Sequence, residues 1–389
     1  MYGARGIPST YSGYETFLTV LLPGLVKRGH DVTIYCRKGD VDDALEFQGV
    51  RKRFLPAVET KALSTLTHGA LSCVQARRAR HDVVLVVNVA NALFCGLSRW
   101  TGQPVVLNTD GQEWLRGKWG RAARGFFRIS AHIASRMTTA LVSDCASMSA
   151  VYSSEFSAGS TVIPYCWTGL ESSPPSAILA DLGLSPGRYF CQAGRLNPEN
   201  KAVALAEAFT ASDSPWPLVI LGRANYDSPV ATRLAVLAAR DNRIRLIGHV
   251  ADRSDYACLV RHAGAYFHTH SIGGINPSLI EAMGLGAYVL ALNTPFNVDA
   301  LGSAGRYFDD LGGGLTQVIE STSRLDPSAT SQSRHDAEER ARSYFSASAV
   351  IDEYERLLVD AAGRKWRGSG LVRETQWTTE SPTNSRARR

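Results

Sequence analysis

The sequence predicts an α/β chain of two domains, each a parallel sheet covered by helices on both faces. Three observations carry this. Short β-rich apolar runs alternate with helical patterns through most of the chain, the element order that builds parallel sheets. Some runs are apolar at every position, as in Val83–Val87, which suits strands buried on both sides. The chain has 389 residues, too many for one ordinary core and enough for two domains of roughly 150–200 residues each.

Strand-like runs in the first half are Asp31–Cys36, Asp82–Val89, Pro104–Asn108, Ala140–Val142 and Thr161–Ile163. In the second half they are Tyr189–Ala193, Pro217–Gly222, Ile244–Ile247, Ala265–His268 and Tyr288–Ala291. Between the halves, Gly169, Ser172, Ser173, Pro174 and Pro175 crowd into a loop-like stretch, the signature of a linker. The expected organisation is a first domain over 1–168, a linker over 169–186, a second domain over 187–346, and a helix over 347–365. That helix rests on apolar residues at helical spacing: Val350, Ile351, Tyr354, Leu357, Leu358 and Ala361. From 366 to 389 the chain is rich in Ser, Thr and Arg, and a disordered tail is expected.

Composition narrows the function. It is 44% hydrophobic and 20% charged, close to the globular average, which excludes collagen, coiled coil and wholesale disorder. No apolar run reaches the ~18–20 residues that span a bilayer, and no leader pattern opens the chain. Seven scattered cysteines without a C-x-x-C suit reduced thiols in a cytoplasm, not a disulfide framework or a zinc site. The net charge of +6 is unevenly spread. Residues 1–170 hold 19 Lys+Arg against 12 Asp+Glu, a net of +7, and the remainder holds 23 against 24, a net of −1. A basic first half points to an anionic partner.

The most specific local pattern runs from Ala265 to Gly284. A strand ends near His268, and Gly273 and Gly274 follow. Asn276 is then a good N-cap and Pro277 a good first helical residue. The amides of Ser278 and Leu279 at such a helix start suit an anion, and glycines before it let a phosphate approach. Glu281, one turn in, suits a neighbouring diol such as a ribose. The alternative is a capped helix with an ordinary acid in its first turns. His268 and His270 share one strand face, and without a third ligand at matching spacing they read as a polar pair, with no metal assigned. At a second strand end, Gly194-Arg195 and Asn200-Lys201 place cations where ligands of open α/β sheets bind, and Arg195 suits a phosphate. Their alternative is a solvated loop. Gly222, after Val219–Leu221, is a further place for backbone to meet a base.

The chain resembles glycosyltransferase family four of the GT-B fold, and within it a rhamnosyltransferase-like subgroup. Four ordered blocks carry the resemblance: Gly3–Thr16, Asp110–Trp119, Gly194–Asn200 and His268–Met283, with Asn293–Asn297 agreeing downstream. The resemblance implies two Rossmann-like domains facing across a cleft, with the C-terminal helix crossing back to the first. It implies a retaining, metal-independent enzyme that moves a sugar from a nucleotide-diphosphate donor to an acceptor hydroxyl, with no cofactor. Glu281 would hold the ribose, and Arg195 with Lys201 the diphosphate. Gly274, Ser278 and Leu279 would line the diphosphate and sugar subsite, with His270, Asn276 and Gly222 beside them. The Gly13 loop would meet the phosphates from the first domain. Asp110 and Glu281 are the candidate catalytic carboxylates, Asp110 acting near the anomeric centre; no nucleophile is assigned.

Departures from the family pattern matter. Where the wider family often has a second Glu, eight residues before the helix Glu, this chain has Gly273. Asn200 stands where many relatives have Lys, with Lys201 beside it, and Ser12 replaces one glycine of a pair. Only Met1 and Tyr2 precede the Gly3 loop, so a first central strand is expected to be missing and a translation start upstream is inferred.

On the acceptor side, Glu113, Trp114, Arg116, Lys118, Trp119 and Arg121 open a segment of basic and aromatic residues that runs on to Arg136. Such a mixture docks on anionic headgroups, or is an ordinary helix with a solvated basic face. The expected partners are a nucleotide sugar, a saccharide or lipid-linked saccharide acceptor in surface polysaccharide synthesis, and the inner face of a membrane, with no nucleic acid. The alternatives are a nucleotide-sugar epimerase of the same fold and a degenerate, non-catalytic binding protein.

Overall fold

The computed structural model describes residues 1–8, 13–58, 63–117, 119–171, 177–223, 228–364 and 370–379. The chain folds as two compact units. The second comprises Arg116–Lys118 and Gly169–Phe345, and the first comprises the rest.

In the first unit, β1 (Thr33–Arg37), β3 (Val50–Leu55) and β2 (Glu46–Phe47) form one sheet in that order. A second sheet runs β4 (Val84–Val87), β5 (Val105–Asn108), β6 (Ala140–Ser143) and β7 (Thr161–Val162), all parallel. Helices α1 (Gly13–Lys27), α2 (Leu63–Arg78), α3 (Ala92–Trp100), α4 (Arg121–Met137) and α5 (Ala146–Phe156) connect them. The strands β4, β5 and β6 are buried at every position, as continuous apolar runs require. The hairpin of β2 and β3 was not expected from the sequence.

The unpaired interior edges expected from a missing first strand are absent. Tyr2 bridges Val86 in parallel, donates to the Leu85 carbonyl and accepts from Val87, both at 3.1 Å. On its other side, Tyr35 donates to the Met1 carbonyl at 3.0 Å and Arg37 to the Arg5 carbonyl at 2.8 Å. Residues 1–5 therefore satisfy main-chain groups of both β1 and β4.

In the second unit, six parallel strands stand in the order β10 (Ile244–Gly248), β9 (Leu218–Leu221), β8 (Phe190–Ala193), β11 (Ala265–His268), β12 (Val289–Leu292) and β13 (Arg306–Phe308). Around them lie α6 (Ala177–Asp181), α7 (Ala202–Thr210), α8 (Pro229–Arg240), α9 (Arg253–Arg261), α10 (Pro277–Gly284), α11 (Pro295–Leu301), α12 (Gly313–Ser323) and α13 (Ser331–Tyr344). Chain order reverses at β8, whose neighbours are β9 and β11. That is a topological switch point, where open α/β sheets bind ligands at strand carboxyl ends. Phe190, Phe209, Phe267, Ile220 and Leu290 pack one face of this sheet.

Helix α14 (Ala347–Ala362) belongs to the first unit. Ser346 caps it, and Arg28 on the turn after α1 pairs with Asp352 and Glu355. Tyr354, buried, receives a hydrogen bond from Asn108 Nδ2 at 2.7 Å and packs against Phe17. Of the tail expected to be disordered, 366–369 and 380–389 lie outside the described residues, and 370–379 differs from expectation. Leu371 bridges Ala140 and donates to the Thr139 carbonyl, and Thr375 donates to the Val162 carbonyl at 2.7 Å. A short helix, α15 (Gln376–Thr379), then buries Trp377. One large aromatic supplies the apolar area that the segment's average composition hides.

Candidate functional site

In the second unit the carboxyl ends of β8 and β11 are joined by buried side chains. Gln192 Nε2 donates to Thr269 Oγ1 at 2.5 Å and to the Asn200 carbonyl at 3.1 Å. Thr269 Oγ1 donates to the same carbonyl, and Ser271 donates from its amide and its hydroxyl to the Glu199 carbonyl. Two loops leaving neighbouring strands are thereby held as one piece. The other end of the piece is His270. Its Nε2 pairs with Asn276 Nδ2 at 2.7 Å, and its carbonyl accepts from Asn297 Nδ2 at 3.1 Å. Asn297 also donates to the Leu292 carbonyl, so the Asn293–Asn297 block braces the site from α11.

Asn276 is the N-cap of α10 and Pro277 its first residue, as the sequence predicts. The anion donors differ from expectation. The Ser278 amide is taken by Asn276 Oδ1 at 3.0 Å and the Leu279 amide by the Asn276 carbonyl at 2.9 Å. A cap that satisfies its own helix start leaves those amides nothing for a ligand. The amides of Gly273, Gly274 and Ile275 make no main-chain bond among the described residues. Gly273 holds φ +115°, a conformation that favours glycine. The amides without a main-chain acceptor among the described residues therefore lie just before the helix, in the glycine loop.

Arg195 and Lys201 make no ion pair with any described residue. Lys201 takes φ +54° at the start of α7, and Gly194 and Gly222 also have positive φ at the ends of β8 and β9. A Cβ on Gly222 would stand 1.9 Å from the Gly194 carbonyl oxygen, so a side chain there forces main chain to move. His268 and His270 stack at 4.8 Å between ring centroids. Burial holds His268 down at about 3. Burial again comes first in holding His270 well below the imidazole range, with His268, Arg116 and Arg195 adding to it. Both rings are neutral at pH 7, and no group among the described residues could hold a metal ion.

Glu281 is 7% exposed, and its Oε1 accepts from Arg253 Nη2 at 2.5 Å. Sequence reading missed Arg253. Its signal was a capping Asp252, which accepts from the Ser254 and Asp255 amides, followed at once by an arginine.

In the first unit, Asp110 takes φ +57° at the end of β5, in a turn closed by Asn108 Oδ1 accepting the Asp110 amide at 2.9 Å. Tyr165 OH donates to Asp110 Oδ1 at 3.3 Å. Burial first, and the Asp110 carboxylate next, push the Tyr152 and Tyr165 phenols up. Gly13 opens α1, and Glu15 in its first turn accepts the Arg5 amide.

The acceptor-side residues divide. Trp114 and Glu113 are buried rather than presented to a partner. Trp114 packs edge-on against Tyr152 and Phe156, and Glu113 accepts from Trp119 Nε1 at 2.7 Å. Of the interleaved aromatics, Trp114 and Phe127 are buried and Trp119 and Phe126 half-buried, so the surface here is mainly basic. Arg116 is grouped with the second unit, 3.7 Å from where a Gly273 Cβ would stand. Lys118 lies outside the described residues, and Arg121 is exposed on α4. No helix among the described residues is long and apolar enough to cross a membrane.

A cavity of about 490 Å³ lined by Trp216, Arg261 and Arg334 opens elsewhere, at the amino-terminal ends of β8, β11 and β12. Arg334 is committed there to the carbonyls of Arg261, Ala263, Gly264 and Gly286, a structural staple.

Residues 1–167 match a family model described as a domain of unknown function, DUF1972. No curated protein matches the chain. Among solved structures, HepE of Anabaena in complex with UDP-glucose has a TM-score of 0.74 at 15% identity, covering 92% of this chain and 98% of that one. Sucrose-phosphate synthase from Thermosynechococcus elongatus has a TM-score of 0.76 at 17% identity, covering 92% and 97%. An E. coli structure described as trehalose-6-phosphate bound with UDP-2-fluoro glucose has 0.74 at 9%, covering 93% and 98%. These neighbours are GT-B glycosyltransferases, and this chain has the GT-B fold.

Replacing Asn276 by Ala removes the α10 cap and a partner of a buried imidazole. The expected cost is about 2 kcal/mol in denaturant unfolding of the second unit. A loss below about 0.5 kcal/mol would contradict the bracing role.

Proposed function

We propose that this protein is a glycosyltransferase that moves a sugar from a nucleoside-diphosphate donor to an acceptor hydroxyl. The observation that carries the reading is two cations that make no ion pair with any described residue, on a loop held to another whose amides make no main-chain bond among the described residues. Arg195 and Lys201 stand at a strand-end loop braced to the loop of Gly273–Ile275, and Glu281 follows on α10. The leaving group of such a transfer is an anionic diphosphate. Fixed guanidinium, ammonium and amide dipoles stabilise the negative charge that develops as the bond to the sugar breaks. The carboxylate of Glu281 suits the ribose hydroxyls.

Asp110 is the proposed catalytic carboxylate of the first unit. Its turn fixes it at a strand carboxyl end, and it would serve as base toward the acceptor hydroxyl or stabilise positive charge at the anomeric carbon. The resemblance to family four and its rhamnosyltransferase-like subgroup supports retention of configuration, a metal-independent reaction and a deoxyhexose donor. The structural neighbours' UDP and UDP-glucose complexes support a nucleotide-sugar donor.

UDP, dTDP and GDP in a thermal-shift series should include at least one that stabilises the protein, and Arg195→Ala should remove the shift. Asp110→Asn should keep the shift and lower acceptor-dependent nucleotide release about 100-fold or more. Stabilisation by none of the three overturns the reading.

The same proposal includes a lipid-linked acceptor and contact with a membrane face. Helix α4 exposes Arg121, Arg124, Arg128 and Arg136, with Ile129 60% exposed among them. Such a face suits anionic headgroups. Co-sedimentation with phosphatidylglycerol vesicles should fall with added salt and with replacement of the four arginines by Gln. Equal binding to neutral phosphatidylcholine vesicles counts against it.

A further inference from the structure

Arg253 is the first residue of α9, where the helix dipole disfavours a cation. Asp252 and Asp255 offset part of that, but both are also engaged at the helix start, as cap and as first-turn acid. The side chain leaves the helix end for two partners. Its Nη2 meets Glu281 Oε1 at 2.5 Å, and its guanidinium carbon lies 4.9 Å from the centre of the Tyr256 ring. The Glu281 side chain is 10% exposed and the Arg253 side chain 38%. An almost buried carboxylate is thus oriented by a guanidinium that is itself pinned against an aromatic face.

We infer that Arg253 is a positioning residue that fixes the rotamer of Glu281, leaving one carboxylate oxygen to accept from the ribose of the donor nucleotide. The inference rests on the reading of Glu281 as the ribose-binding group. A carboxylate rotates freely about its last bond and presents different lone pairs in each orientation. Holding one oxygen removes that freedom before the ligand arrives, so ordering is not charged to binding. Charge alone does not achieve this. The ring contact and the planar fork act together, and a lysine keeps the charge without the plane. The guanidinium also compensates the buried carboxylate in the ligand-free protein, where an unpaired charge would be costly.

The test compares affinity for UDP with affinity for 2′,3′-dideoxy-UDP, or the GDP pair if the wild type binds only that. Wild type should prefer the ribonucleotide about tenfold or more, the effect of hydrogen bonds to a charged group. In Arg253→Ala the ratio should collapse toward one, and in Arg253→Lys it should be partly retained. Both variants should keep their diphosphate dependence through Arg195. If Arg253→Ala does not fold, Arg253→Gln gives the same ratio. Collapse in Glu281→Ala with an intact ratio in Arg253→Ala overturns the positioning role alone. An intact ratio in Glu281→Ala, or no preference in wild type, overturns the ribose reading and this inference with it.

Discussion

The candidate site depends on one interaction: Gln192 Nε2 and Thr269 Oγ1 both donate to the Asn200 carbonyl where β8 and β11 end. These groups close one hydrogen-bonded set, and His270, Asn276 and Asn297 close another. Losing one of these hydrogen bonds and leaving its partner buried would cost about 1–3 kcal/mol, and together they hold the two loops against each other. The cap of α10, the open amides of the glycine loop and the position of Glu281 all follow from where those loops are held.

The network also decides what is left over for a ligand. It uses the Ser278 and Leu279 amides and both side-chain groups of Asn276. Among the described residues it leaves Arg195 and Lys201 without an ion pair and the amides of Gly273–Ile275 without a main-chain acceptor. Burial keeps His268 and His270 neutral at pH 7, so neither adds charge to the site. In the first unit, Asp110 is fixed by a different device, a positive-φ turn capped by Asn108.

Much of this was legible in the sequence. Short apolar runs located β4, β5, β8, β9, β11 and β12, apolar throughout in β4, β9 and β12, because strands buried on both sides have little polar face to obscure the pattern. The Asn276-Pro277 pair located the α10 start, since cap chemistry is local. Other features depend on contacts made at long range. Three consecutive cations, Arg51, Lys52 and Arg53, hid β3, in which Val50 and Lys52 are buried and Arg51 and Arg53 exposed. Single residues, Trp377 in the tail and Tyr2 at the start, dock segments whose average composition says little. Trp114 lies among basic residues in sequence and among Tyr152 and Phe156 in space, which only the fold brings together. The Arg253–Glu281 pair spans 28 positions between two helices, and no spacing rule connects them.

The most direct measurement is a crystal structure of the protein grown with the nucleoside diphosphate that stabilises it. Density for the diphosphate should lie against the Gly273–Ile275 amides and Arg195, with a ribose hydroxyl on the free oxygen of Glu281 and the Arg253 contact kept. A nucleotide bound elsewhere, for instance in the cavity beside Arg334, or a diphosphate resting on the Ser278 and Leu279 amides after the Asn276 cap has opened, would contradict it.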